Sequence, residues 1–242
     1  MRIALFVICA LMGFSALSQT PQEIPDSVFS LIYRQKYNAA ERLLLDNKAN
    51  IDPIYFAVLE IDMSYWKNVT GTSDRHYARF ETLLKSYQTT APETRQQKAI
   101  ELIRLSYQLR YELKRFQLFN AISTRKETLQ LFNELKKDST QLNKNQQELF
   151  ELYQALITYF DLYLKPFFAK KKHAQTEILT QTMDKLTTSD QQMVKTLSTY
   201  FLGKIYLKYE NKPQKAHPYL KWLQNTYPEN QTFRELFSEC KS

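Results

Sequence analysis

Glycine constrains this chain more than any other residue. Only three occur in 242 residues: Gly13, Gly71 and Gly203. Gly13 falls in an N-terminal stretch with the marks of a cleaved leader, so the processed chain keeps two. Tight hairpins, phosphate-cradling loops and dinucleotide turns need backbone at positive φ, which glycine adopts without steric cost. Two glycines do not furnish a β-sandwich, a dinucleotide fold or a P-loop. With 43% apolar and 24% charged residues, intrinsic disorder is excluded as well. The composition leaves helix.

Met1-Arg2 gives a short positive start, followed by an apolar run from Ile3 to Leu17 and the small-residue pattern Ala16-Leu17-Ser18. That spacing predicts a signal peptide over residues 1–18, cleavage before Gln19, and an exported, periplasmic or secreted product. The run of about 15 residues is too short to span a bilayer, which takes about 20. Cys9 has too little apolar sequence before it for a lipoprotein site, so no lipid anchor is expected. No later segment is apolar enough to cross a membrane, and residues 19–242 read as one domain. The formal charge of +8 falls to +7 without Arg2, with both signs interspersed, which permits an acidic partner without demanding one. Cys240 is the only cysteine after residue 18, so stability has to come from packing rather than from an internal disulfide.

Apolar residues recur at helical spacing almost throughout. The pattern predicts helices near 26–35, 38–50, 53–67, 73–88, 92–119, 121–137, 143–165, 167–187, 189–210, 213–226 and 229–240, with the prolines at segment edges. Asp52-Pro53 and Ser189-Asp190 read as helix starts. Short links make neighbouring helices antiparallel, giving about five hairpins and a C-terminal helix.

The last hairpin carries a resemblance. Leu202-Gly203-Lys204-Ile205-Tyr206, followed by Ala216, Leu220 and Pro228, has the spacing of the tetratricopeptide repeat. Thr199 stands where that pattern has tryptophan, and one extra residue lies in the Glu210-Asn211-Lys212 turn. Tyr37-Asn38-Ala39-Ala40-Glu41 with Leu44, and Ile61, Asp62 and Tyr65, are weaker versions of the same pattern; residues 92–187 have none. The chain resembles a secreted tetratricopeptide protein, which implies an all-α array of antiparallel hairpins, an α-solenoid. In this family the first helix of each pair faces a concave groove that holds peptides. The resemblance implies that Tyr200 and Lys204 face that groove in the last hairpin, and Met63 and Trp66 in the second.

No catalytic chemistry emerges from the residues. His76, His173 and His217 are far apart and no Cys-x₂-Cys occurs, so no metal site is expected. A nucleophile elbow is absent and no cofactor motif appears. Glu60 and Asp62, spaced two apart on a helix, point to different faces rather than converging as an acid–base pair. Lys165-Pro-Phe-Phe-Ala-Lys-Lys-Lys-His173 reads either as a helix junction or as a contact for an anionic surface through Lys170, Lys171 and Lys172. Asn68-Val69-Thr70 and Asn230-Gln231-Thr232 have the form of glycosylation sequons.

The sequence therefore predicts a non-catalytic binding or scaffold protein of a bacterial-type cell envelope, docking a protein or peptide in the groove of a helical array. An accessory protein binding glycan or anionic lipid through exposed aromatics is the alternative, and an envelope hydrolase comes third. Nucleic acid is not an expected partner. Uncharged aromatic rows along the binding face would favour glycan; Lys and Arg mixed with Tyr would favour peptide.

Overall fold

The computed structural model describes residues 23–69, 74–137, 143–164 and 172–241. The predicted signal peptide lies outside them. The described residues form eleven α-helices and no strand. They are α1 (Glu23–Tyr33), α2 (Tyr37–Asp46), α3 (Pro53–Asn68), α4 (Asp74–Ser86), α5 (Arg95–Lys114) and α6 (Leu118–Lys137). Then come α7 (Lys144–Leu164), α8 (Lys172–Leu186), α9 (Gln192–Lys204), α10 (Pro213–Thr226) and α11 (Gln231–Lys241). Among them no helix is long and apolar enough to cross a membrane.

Local chemistry explains where several helices start. Asp52 accepts the Ile54 amide at 2.8 Å, and Pro53 fills the first helical position, where a missing N–H leaves nothing unpaired. Thr94 and Gln97 close a reciprocal capping box at the start of α5. Prolines are not confined to edges, however. Pro218 sits inside α10 and removes the donor for the Gln214 carbonyl; both residues are exposed, so water can serve that oxygen.

Helix ends show how a chain nearly free of glycine turns corners. Gln35, Phe116 and Asn211 all adopt positive φ, at 61°, 56° and 52°. After α1 the Lys36 amide reaches back to Leu31 and that of Gln35 to Ile32, both at 2.9 Å. After α5 the Gln117 amide bonds Glu112 at 2.9 Å and that of Phe116 bonds Leu113 at 3.2 Å. These pairs form the Schellman closure, whose left-handed position glycine usually fills. Here Gln35 and Phe116 fill it, at a steric cost of roughly 1–2 kcal/mol each.

Cross-contacts fix several neighbouring helices as antiparallel. Between α5 and α6, Lys98 meets Glu134 at 3.4 Å and Gln108 meets Thr124 at 3.3 Å. Between α10 and α11, the rings of His217 and Phe237 lie 5.2 Å apart, and the Cys240 thiol donates to the Pro213 carbonyl. The core joins the two ends of the sequence. Tyr33 of α1 stacks on Phe29 at 4.2 Å and meets Trp66 of α3 at 5.2 Å, Tyr227 at 5.7 Å and Phe233 of α11 at 5.8 Å. The buried Asn230 amide donates to the Tyr33 carbonyl at 2.9 Å, while its oxygen accepts the Phe233 amide and caps α11. Helices α1, α3, α9 and α11 thus enclose one aromatic cluster. A separate, smaller cluster of Leu102, Leu105, Leu131, Phe132 and Leu135 serves the α5–α6 pair.

The crossing of α9 and α10 follows the sequence closely. A Cβ on Gly203 would lie 2.9 Å from Leu220 Cδ2 and 3.3 Å from Tyr219 Cβ, and Ala216 is fully buried. Small residues let these helices approach. The additional residue noted in the following turn accompanies a π-helical turn over Ile205–Tyr209 that ends α9, as one inserted residue does. Pro228 lies in the turn before α11 rather than within it, and Asn230 makes the cap.

Candidate functional site: a cation-lined niche between α5 and α9

Three basic side chains gather where α5 meets the end of α9. Arg110 and Lys114 are one helical turn apart on α5, and Lys204 closes α9. The Arg110 guanidinium is caged by rings, with its carbon 4.4 Å from the centre of Tyr65, 5.0 Å from Tyr107 and 5.1 Å from Phe201. Lys204 Nζ lies 5.7 Å from the Tyr200 ring centre. Lys114 donates to the Val69 carbonyl from an exposed position. Partial burial, then the nearby charges of Lys204 and Arg110, pull the Lys114 ammonium below its ordinary pKa. Like charges are close enough to repel. Among the described residues no carboxylate forms an ion pair with any of the three.

Asp62 lies beneath this niche, on α3. It is 1% exposed and accepts a hydrogen bond from the Tyr107 hydroxyl at 2.6 Å. Burial pushes its carboxyl up to about 6, against the opposing pull of the Tyr107 hydrogen bond and the Arg110 charge. A carboxyl poised near 6 suits acid–base chemistry in an open cleft. This one is sealed among Tyr33, Trp66 and Tyr107, and it acts as a buried polar tie between α3 and α5. Glu60 accepts from the Tyr87 hydroxyl, on a different side of α3, so the two carboxylates diverge as the spacing predicts. Among the described residues no group of three His, Cys, Asp or Glu side chains converges on a metal position.

The residues singled out from sequence part ways here. Lys204 is half-buried and borders the niche. Met63, Trp66 and Tyr200 are only 7%, 3% and 5% exposed. Trp66 and Tyr200 do not line an open groove, because α1 and α11 pack against the same face: Phe233 lies 5.9 Å from Trp66 and 5.7 Å from Tyr200, whereas Met63 reaches the wall of a cleft among α2, α3 and α4. These rings are core. Lys170 and Lys171 fall outside the described residues, as does the side chain of Lys172 at the start of α8. Both sequon asparagines are buried. Asn68 donates to Ser64 and Asn230 to the Tyr33 carbonyl, so the folded chain cannot present either amide to a glycosylating enzyme. Arg110 and Lys114 were missed at the sequence level, where their signal is a basic pair four residues apart on a helix without an acidic partner at matching spacing.

Two clefts lie elsewhere: one of about 240 Å³ lined by Asp52, Arg95, Leu135 and Phe150 among others, and one of about 250 Å³ among α2, α3 and α4, lined by Glu41, Glu60, Met63, Lys67 and Arg79. The charges of the α2–α3–α4 cleft are of both signs, and Lys67 already pairs with Glu41 at 3.3 Å. No protein-family model, curated protein or solved structure matches the chain.

Proposed function

We propose that this chain is a non-catalytic docking protein that holds a protein or peptide partner by its acidic groups in the Arg110–Lys114–Lys204 niche. The observation that carries the reading is the gathering of three cations on an aromatic floor, with Asp62 sealed beneath Arg110 and no carboxylate among the described residues in ion-pair contact with any of the three. A guanidinium and two ammonium groups supply donors for carboxylates, and Tyr65, Tyr200 and Phe201 keep the floor apolar. Cations mixed with tyrosines suit peptide better than glycan, which favours uncharged aromatic faces.

The broader setting belongs to the same proposal. The chain is an exported, tetratricopeptide-like array in which α1/α2, α3/α4, α5/α6, α7/α8 and α9/α10 are the hairpins and α11 the closing helix. The Gly203–Ala216 crossing supports that kinship, and Arg110 and Lys204 then both lie on first helices of their pairs. The scaffold reading does not need a long open groove; one charged niche suffices.

The test uses the chain purified from its native envelope with whatever it captures. Lys114→Glu combined with Lys204→Glu abolishes capture while the melting temperature stays near that of the unaltered chain. Undiminished capture by the doubly reversed protein overturns the niche as the docking site. Intact-mass analysis of exported protein checks the predicted N-terminus at Gln19, and a chain retaining residues 1–18 overturns the export proposal.

A further inference from the structure

Seven large apolar side chains are exposed among the described residues, and five of them lie at the α5–α6 end: Leu113 in the last turn of α5, Phe116 in the link, and Leu118, Phe119 and Ile122 in the first two turns of α6. Phe116 is 86% exposed and Phe119 90%. Neither ring packs against the protein. Residues 113–126 also contain Lys114, Arg115, Arg125 and Lys126 and not one acidic residue. Arg125 is tied to Asp161 of α7, the Arg115 guanidinium lies 4.5 Å from the Tyr77 ring centre and Lys114 donates to the Val69 carbonyl, yet Lys114, Arg115 and Lys126 are all exposed.

The backbone makes the choice of residue at 116 harder to explain by folding alone. Its φ of 56° lies in the left-handed region that a bulky side chain avoids and glycine fills without strain. The chain uses glycine nowhere among these closures, yet the other two bear Gln35 and Asn211, polar residues compatible with water. A phenylalanine here loses on both counts. It strains the turn, and it leaves a ring in solvent. Five exposed apolar side chains within ten residues at one end of a hairpin are the signature of a contact surface rather than of scattered surface residues.

We infer that the α5–α6 tip is an interfacial anchor for an anionic lipid membrane, with Phe116 and Phe119 entering the headgroup–acyl boundary and the basic side chains meeting lipid phosphates. Charge complementarity selects this occupant. A second copy seated symmetrically on the tip would bring Lys114, Arg115 and Lys126 against their own equivalents. The tip projects, and a fluid bilayer accepts a projecting ring without a preformed pocket. Stable peripheral attachment takes two weak signals together, apolar insertion and attraction of several basic residues to acidic lipid. This turn supplies both. Lys114 is common to the niche and the tip, so the anchor is read through Phe116 and Phe119, which contribute nothing to the floor around Arg110.

The test is flotation of the chain with vesicles of phosphatidylcholine alone or of phosphatidylcholine with phosphatidylglycerol. The unaltered chain floats with the acidic vesicles, not with the neutral ones, and salt weakens the association. Phe116→Gly melts no lower than the unaltered chain, because it relieves the turn, and loses roughly tenfold in partitioning; Phe119→Ser loses a similar factor. The opposite behaviour of stability and binding at residue 116 excludes misfolding as the cause. Equal partitioning of Phe116→Gly and the unaltered chain overturns the anchor, as does failure of the unaltered chain to float with acidic vesicles. Concentration-dependent dimers that Phe116→Gly abolishes, without lipid binding, would instead assign the tip to a second copy.

Discussion

The aromatic cluster around Tyr33 and the α5–α6 hairpin use the same residue types to opposite ends. In the first, Phe29, Tyr33, Trp66, Tyr200, Tyr227 and Phe233 are drawn from α1, α3, α9, the turn before α11 and α11 itself, and all are buried. In the second, Phe116 and Phe119 stand in solvent over a small core of leucines and Phe132. Where distant parts of the chain converge, aromatic area becomes fold stability. At the α5–α6 link, α4 and α7 meet the hairpin through Tyr77, Glu81 and Asp161 but leave Phe116 and Phe119 uncovered, and that area is left for contact. The hairpin is still well anchored at its base, where buried Glu101 accepts the Thr89 amide and Tyr107 donates to Asp62 of α3. At its tip two cations are tied, Lys114 to the Val69 carbonyl and Arg125 to Asp161, but the two phenylalanine rings are not covered.

Substitutions can break this contrast, and the largest effect belongs to the core. Phe233→Ala empties a fully buried position that touches four other rings, and about 3–5 kcal/mol of stability is lost. Chemical denaturation measures it, and a loss below 1 kcal/mol would mean that α11 does not seat on α1 and α3. Asp62 adds a pH dependence. Its carboxyl is raised from 3.8 to about 6 in the folded chain, so the folded state binds this proton more tightly than the unfolded state. Stability from this group is full below pH 3.8 and fades as pH rises through about 6, by roughly 3 kcal/mol at most. Melting curves across that window should lose this slope in Asp62→Asn; an unchanged slope would place the titrating group elsewhere.

Smaller effects sharpen the contrast. Gly203→Leu overpacks the α9–α10 crossing and costs about 1–3 kcal/mol, since even a Cβ there crowds Leu220. Phe116→Gly works in the other direction, raising stability by about 1 kcal/mol through relief of the left-handed backbone. Lys204→Ala changes stability by less than roughly 0.5 kcal/mol and weakens partner capture. A Lys204→Ala chain that melts far lower would make residue 204 a packing residue rather than part of the niche.

These residues also mark how far the sequence could be read. Helical class followed from the glycine count and the periodicity, and the Gly203–Ala216 contact from two small residues at a recognisable spacing. Both are local signals. The tetratricopeptide resemblance places Trp66 and Tyr200 at a groove hairpin by hairpin; what covers them is Phe233, which lies far away in sequence from Trp66. The break at Phe116 was illegible for a different reason. Apolar periodicity runs through Leu113, Phe116 and Phe119, so one helix was expected to continue to 119, and a left-handed phenylalanine leaves no mark in a pattern. The niche was half legible, because Lys204 follows Gly203 in the repeat-like motif while Arg110 and Lys114 come from a region without that motif.

The meeting of the first and last helices is the central feature of the fold, and amide hydrogen exchange of Phe233→Ala tests it most directly. Loss of the Phe233 ring should raise exchange in α1 and α3, more than 160 residues away in sequence, together with α11, while α6 keeps its protection. Faster exchange confined to α10 and α11, with α1 and α3 unchanged, would contradict the closed core.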